Sequence, residues 1–286
     1  MKQLLDLTRK YLKEVISAVN AHAEGKTGRG FLGLVAGRPK TEDVKIELDE
    51  ICENIFKKLL KKSKLPVRVF SEHGTYGSSF PEYFCSIDPF DGSALYLRGL
   101  RAEWYSVLSF FDLDGVPLAG GTADILQKRI YLADGEKNKC FFFDKRGRIS
   151  VLSRPKKETF DNQTILSAYL MAPKYLLPWA ERMKKLLEKF QGIFIWPNGG
   201  AGIYHMIAEG KVDAYIMFDE PRSEIDPGLA FAQVSGFPVV SVRDDWTCEN
   251  YQFLPDRQSE RVPFFITAAT YELILAILKK VKEANK

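Results

Sequence analysis

The chain has 286 residues, 45% hydrophobic and 27% charged, and its 41 Lys and Arg against 37 Asp and Glu leave a formal charge of +4. This is ordinary globular usage, with enough chain for sizeable cores in one or two domains. No apolar run is long enough for a membrane span, and Met1 to Lys13 already carries Lys2, Asp6, Arg9, Lys10 and Lys13, so neither membrane contact nor a signal peptide is expected and the protein is read as cytoplasmic.

Lys57, Lys58, Lys61, Lys62 and Lys64 cluster at one helix end, which reads as a solvated face and not as a nucleic-acid surface. Cys52, Cys85, Cys140 and Cys248 have no CxxC spacing and sit mostly among apolar neighbours, so zinc and disulfides are not expected.

In chain order, a helix is expected from Leu4 to Ala23, then a Gly-rich stretch from Gly25 to Gly37 closed by Lys40-Thr41-Glu42-Asp43. Val44 to Lys62 carries Leu48, Ile51, Cys52, Ile55, Phe56 and Leu59 at the i, i+3, i+4 spacing of an amphipathic helix, with Asp49 in its first turns. Val69-Phe70-Ser71-Glu72-His73-Gly74 closes a short β run with a carboxylate at the turn, where a histidine is more often exposed than catalytic. The apolar run Tyr83 to Ile87 should stop at Asp88, because Pro89 has a fixed φ and no N–H to give a strand. Asp91 then lies in a turn, and Gly92 permits a tight backbone at a helix start.

Two carboxylates beside free amides suit a magnesium-bridged phosphate, because magnesium takes oxygen ligands from a few carboxylates plus substrate phosphate. From Ser106 to Leu152, Asp114-Gly115, Asp134-Gly135 and Arg146-Gly147 punctuate short apolar runs into an antiparallel meander. Beyond Lys156 the pattern alternates. Strands are expected near Thr164 to Ala168, Ile193 to Trp196, Val212 to Met217 and Phe264 to Ile266. Helices are expected near Pro178 to Phe190, Gly199 to Glu209, after Asp226, and from Tyr271. Asp226 reads as an N-cap with Pro227 at the first helical position. This alternation suggests a second α/β layer. The boundary is placed near Glu158, giving units 1–158 and 159–286 with the site between them.

Taken in order, these landmarks resemble the magnesium-dependent, lithium-sensitive sugar phosphatases that include inositol monophosphatase and fructose-1,6-bisphosphatase. Asp88-Pro89-Phe90-Asp91-Gly92-Ser93 is similar to the DPxDGT motif, with serine for threonine. Glu72 matches the upstream glutamate, although His73 replaces the acid that commonly follows it, and Asp49 matches the aspartate a helix-length earlier. Ile225-Asp226-Pro227-Gly228-Leu229-Ala230 resembles WDxAAG only at the aspartate and the small residues. Gly199-Gly200-Ala201-Gly202-Ile203 and Ala208 to Tyr215 look like the family's GSAA helix and following strand.

The resemblance implies an α/β (α+β) fold, a layered α-β-α-β-α sandwich of the sugar-phosphatase type with an N-terminal, mostly antiparallel sheet and a C-terminal α/β layer. It implies two or three Mg2+ per site. Glu72, Asp88, the Phe90 carbonyl, Asp91 and Asp226 would hold them, and Asp49, Glu72 and Ser93 would serve the attacking water. The amides of Gly92, Ser93 and Ala94 would take phosphate oxygens, and Gly200, Ala201 and Asp219 would line the substrate side. Lys40 to Asp43 would approach the metals. The implied reaction is hydrolysis of a small sugar or inositol phosphate. Fructose 1,6-bisphosphate or adenosine 3′,5′-bisphosphate are alternative substrates, and a non-catalytic metal-dependent binding relative is the alternative from another class. Trp196-Pro197-Asn198 in place of an arginine, Gly199-Gly200 in place of glycine-serine, and Ala94 to Leu97 in place of Thr-Asn-Phe depart from the inositol-specific pattern. A homodimer is expected from the family alone.

Overall fold

The computed structural model describes residues 1–24, 30–34, 44–153, 156–195 and 200–284. In order these form α1 (Lys2–Ala23), β1 (Phe31–Leu34), β2 (Val44–Ile46), α2 (Glu47–Ser63), β3 (Val67–Ser71), β4 (Gly74–Gly77), β5 (Tyr83–Asp91), α3 (Ser93–Leu97), β6 (Tyr105–Phe111), β7 (Pro117–Asp124), β8 (Arg129–Asp134), β9 (Lys139–Phe143) and β10 (Ile149–Val151). The remainder forms β11 (Ile165–Ser167), α4 (Pro173–Leu187), β12 (Ile193–Ile195), α5 (Ile203–Ala208), β13 (Ala214–Pro221), α6 (Arg222–Ser235), β14 (Val239–Val242), β15 (Cys248–Asn250), β16 (Arg261–Ala268) and α7 (Tyr271–Ala284).

An eight-stranded sheet has the order β10-β9-β8-β7-β6-β5-β3-β4 and a six-stranded sheet the order β12-β11-β13-β16-β14-β15. The first is antiparallel except where β3 runs parallel to β5, and the second is parallel only around β11. Helices α1 and α2 pack on one face of the larger sheet, α6 fills the space between the sheets, and α4 and α7 cover the outer face of the smaller one. The layers therefore run α-β-α-β-α, and the mixed α/β class expected from the sequence is the one observed. Tyr11, Val15 and Phe56 anchor one core beneath α1 and α2, while Phe231, Ile216 and Ile274 belong to the core around α6 and the second sheet. No helix among the described residues is long and apolar enough to cross a membrane.

Three local expectations are corrected. The first strand of the motif does not stop at Asp88; β5 runs through Pro89 to Asp91. Its register on β6 pairs Asp88 with Val107 and Asp91 with Tyr105, so three steps on one strand meet two on the other. Pro89 is tolerated because it lies in this bulge, where no ladder N–H is required. Asp226 is not an N-cap, since α6 begins at Arg222 and holds Pro227 inside it. The proline removes one N–H from the helical ladder, and Ser109 of β6 bonds the helix just beyond it. Its hydroxyl accepts from the Ala230 N–H at 3.0 Å and donates to the Pro227 carbonyl at 2.6 Å. Likewise α4 starts at Pro173 and carries Pro178 internally.

Helix α6 comes close to α5 because Gly228 has no side chain; a Cβ there would overlap the Tyr204 ring. Gly228→Ala should therefore destabilise the protein by about 2 kcal/mol through overpacking, despite alanine's better helix propensity. Urea unfolding measures this, and the paired Tyr204→Leu, Gly228→Ala variant should recover part of the loss.

Candidate active site

The bulge in β5 gives Asp88 and Asp91 register positions opposite Val107 and Tyr105, residues of the same face of β6, and both acids are buried. Gly92 follows with φ +118, and a Cβ on it would lie 2.6 Å from the Glu103 carbonyl oxygen, so glycine is required. It starts α3, whose first residues Ser93 and Ala94 have N–H groups that no helical turn can bond. Below this turn, Asp49 sits in the first turn of α2 and is fully buried. Its Oδ2 accepts the Ile46 N–H at 2.6 Å, and its Oδ1 lies 3.1 Å from Ser93 Oγ. That hydroxyl is also 3.1 Å from the carbonyl oxygen of Phe90, so it sits between the helix and the motif. Desolvation pushes up the buried Cys52 thiol, and the charges of Asp49 and Asp88 add to it.

Glu72 and His73 enter from the hairpin of β3 and β4. Contrary to the exposed turn residue expected from sequence, the His73 side chain is 5% exposed and its Nε2 lies 3.3 Å from Glu72 Oε1. Asp49, Glu72 and His73 each offer an atom within 4.8 Å of the others, a grouping able to hold a metal.

The other wall is the turn before α5. The Gly202 N–H donates to Asp91 Oδ2 at 3.1 Å, which places Gly200 and Ala201 beside the motif as read from sequence. A Cβ on Gly200 would lie 2.6 Å from Glu220 Oε1 and 3.0 Å from Glu224 Cβ, so two acids that the sequence reading passed over border this turn. Asp219 does the opposite. Its φ of +57 interrupts the alternation of β13, its carboxylate turns out to Arg261 at 2.8 Å, and the next residue, Glu220, is buried with the Tyr215 hydroxyl donating to it at 3.1 Å. A positive φ in mid-strand leaves no trace in hydrophobic periodicity, which is why Glu220 was missed.

Asp226 stands apart. Its Oδ1 accepts the Tyr251 hydroxyl at 2.6 Å and its Oδ2 accepts Gln258 Nε2 at 2.7 Å. Burial raises its pKa to about 6 against the lowering effect of these bonds and of Arg222. On a helix, residues two apart point about 200° from each other, so Glu224 and Asp226 lie on opposite sides of α6. Glu224 is on the side of Gly200; Asp226 is on the side of Tyr251. The sequence signal for Glu224 was an acid in the first turn after Pro221. Lys40 to Asp43 and Trp196 to Gly199 lie outside the described residues.

Buried acids on a bulged strand, a one-turn helix and a glycine turn thus lie within a fold of five alternating layers. Residues 3–226 match the model of the inositol monophosphatase family, and the chain belongs to that family. Family membership supports a phosphatase, and the family is metal-dependent. Among solved structures, the chain is similar to the Thermotoga maritima inositol monophosphatase at 16% identity and TM-score 0.69, covering 100% of this chain and 98% of that one. It is also similar to the extragenic suppressor protein suhB from Bartonella henselae at 14% identity and TM-score 0.72, covering 100% and 99%. An inositol monophosphatase–fructose 1,6-bisphosphatase is similar at 20% identity and TM-score 0.69, with 98% of each chain covered. At these identities the likeness shows the fold. A search of curated proteins by sequence returned no match.

Behind the glycine turn, His205 is buried with ring centroids 4.9 Å from Tyr105 and 4.7 Å from Tyr131. Burial lowers its pKa from 6.5 to about 4. It stays neutral in the fold while the unfolded chain takes a proton, so stability is full above pH 6.5 and falls as pH drops toward 4, by about 3 kcal/mol in total. Denaturant unfolding of His205→Leu should lose that part of the acid dependence relative to wild type.

Proposed function

We propose that this chain is a metal-dependent phosphomonoesterase that hydrolyses a small sugar or inositol phosphate with water as nucleophile. The observation that carries the reading is the buried Asp49–Ser93 pair, whose hydroxyl also lies 3.1 Å from the Phe90 carbonyl oxygen between the buried Asp88 and Asp91. It joins a hydroxyl able to orient water with carboxylates able to hold divalent cations. The donor set fits such cations: oxygen donors, buried, of one charge sign, and crowded enough that a fold without compensating positive charge is strained by repulsion. Glu72, Asp88, Asp91 and the Phe90 carbonyl are the proposed ligands from the larger sheet. From α6 the proposed ligand is Glu224 in place of Asp226, because Glu224 borders the glycine turn whose Gly202 N–H holds Asp91, while both Asp226 oxygens are bonded on the opposite side of the helix.

When bound, magnesium or a related cation supplies charge neutralisation and a water acidic enough to ionise near neutral pH. The protein's own part is positional. Asp49 holds the Ser93 hydroxyl, which orients or deprotonates the attacking water. Gly92, Ser93 and Ala94 offer amides to phosphate oxygens, and Gly202 fixes Asp91. Glu220 replaces Asp219 as the carboxylate available to sugar hydroxyls, since Asp219 is engaged by Arg261 at the surface. The names of the structural neighbours support this substrate class.

Phosphate release with magnesium should be measured over inositol phosphates, hexose phosphates and bisphosphates, and adenosine 3′,5′-bisphosphate. Asp91→Asn should lower kcat/KM by about a hundredfold or more on whichever substrate is turned over. Glu224→Gln should cost at least about tenfold, whereas Asp226→Asn should stay within about threefold of wild type. The reverse order for the last two would return Asp226 to the site. No release on any substrate would overturn the phosphatase reading for this panel.

A further inference from the structure

The hairpin of β3 and β4 pairs Ser71 with Gly74, so Glu72 and His73 are its two loop residues. A two-residue loop is short and stiff, and both side chains turn inward from it toward Asp49. His73 Nε2 lies 3.3 Å from Glu72 Oε1 and 3.9 Å from Asp49 Oδ2. Two donors bound at about 2.1 Å to one ion are separated by about 3.0 Å at a right angle and about 3.5 Å at a tetrahedral angle. The Glu72–His73 separation falls in this range, the Asp49–His73 separation lies somewhat above it, and all three donor atoms lie within 4.8 Å of one another, so the three can converge on one ion.

We propose that His73 is a direct metal ligand through Nε2, making Asp49–Glu72–His73 a mixed nitrogen and oxygen site that selects a first-row transition-metal ion over Mg2+. The inference rests on the metal-dependent reading given above and specifies its cofactor. Magnesium is small, hard, reluctant to shed water and held by oxygen ligands. Imidazole suits ions from manganese to zinc, whose affinity for nitrogen donors rises along that series. Asp49 serves both functions: Oδ1 is on Ser93, while Oδ2, which accepts the Ile46 N–H, keeps lone-pair capacity on the side of His73.

Mn2+ titrated into the metal-stripped full chain, followed by electron paramagnetic resonance, tests this without any turnover. Pulsed measurements should show a directly bound 14N in the wild type and none in His73→Gln. The ratio of Mn2+ to Mg2+ affinity should fall at least tenfold in His73→Gln. His73→Glu should keep Mg2+ binding, and its thermal unfolding shows whether the hairpin has survived substitution. Mn2+ bound with no 14N coupling in the wild type, or an affinity ratio unchanged in His73→Gln, overturns the role of His73 and leaves the phosphatase reading standing. If neither Mn2+ nor Mg2+ binds the wild type, the metal-dependent reading fails together with it.

Discussion

Strict alternation along β5 would send Asp88 and Asp91 to opposite faces of the sheet, and the slip of register against Val107 and Tyr105 is what gives them one. Everything else at the site is arranged around that slip. Pro89 makes it affordable, because a residue without an N–H is no loss where the ladder is already broken. Gly92 then turns the chain at a positive φ beneath Glu103, and the turn delivers Ser93 to Asp49. A residue inserted or removed between Asp88 and Gly92 would flip one acid and detach the hydroxyl from its partner.

The second constraint is that α6 is packed on both sides by sheet, so each of its faces is committed. One face carries Glu224 and Gly228 against the α5 side, another meets Ser109, and a third holds Arg222 and Asp226 against Tyr251. A buried carboxylate costs several kcal/mol unless it is bonded. Asp226 meets that requirement with two neutral donors and the nearby Arg222 guanidinium, and so ties the segment from Tyr251 to Gln258 onto the helix. A carboxylate so engaged is held in place, which is the ground on which the proposed ligand from α6 is the acid two residues earlier.

The sequence made the layers and half the site readable for a physical reason: both depend on local patterns. Apolar runs broken by Asp114-Gly115, Asp134-Gly135 and Arg146-Gly147 mark strands β6 to β10 directly, and the stripe from Leu48 to Leu59 marks α2. Asp-Pro-Phe-Asp-Gly-Ser marks its turn because each residue type has a steric or ligand role there. What escaped the sequence was set by partners far along the chain. Ser109 lies 118 residues from the Pro227 carbonyl it bonds, a contact inside α6 that no local pattern announces. Arg261 draws Asp219 outward from 42 residues away, and with that the neighbouring Glu220 becomes the inward acid. His73 looked like a solvated turn residue because its neighbour Asp49 comes from a separate element, α2, that no local pattern links to the hairpin.

The most direct test of this account is the position of bound cations, read from anomalous scattering of Mn2+ in a crystal of the full chain. The account predicts density bounded by Glu72, Asp88 and Asp91, with Glu224 as the contact from α6 and Asp226 still bonded to Tyr251 and Gln258. Density coordinated by Asp226, with Glu224 turned away, would contradict the placement of the two acids. An ordered cleft that binds no Mn2+ at all would contradict the metal-dependent site itself.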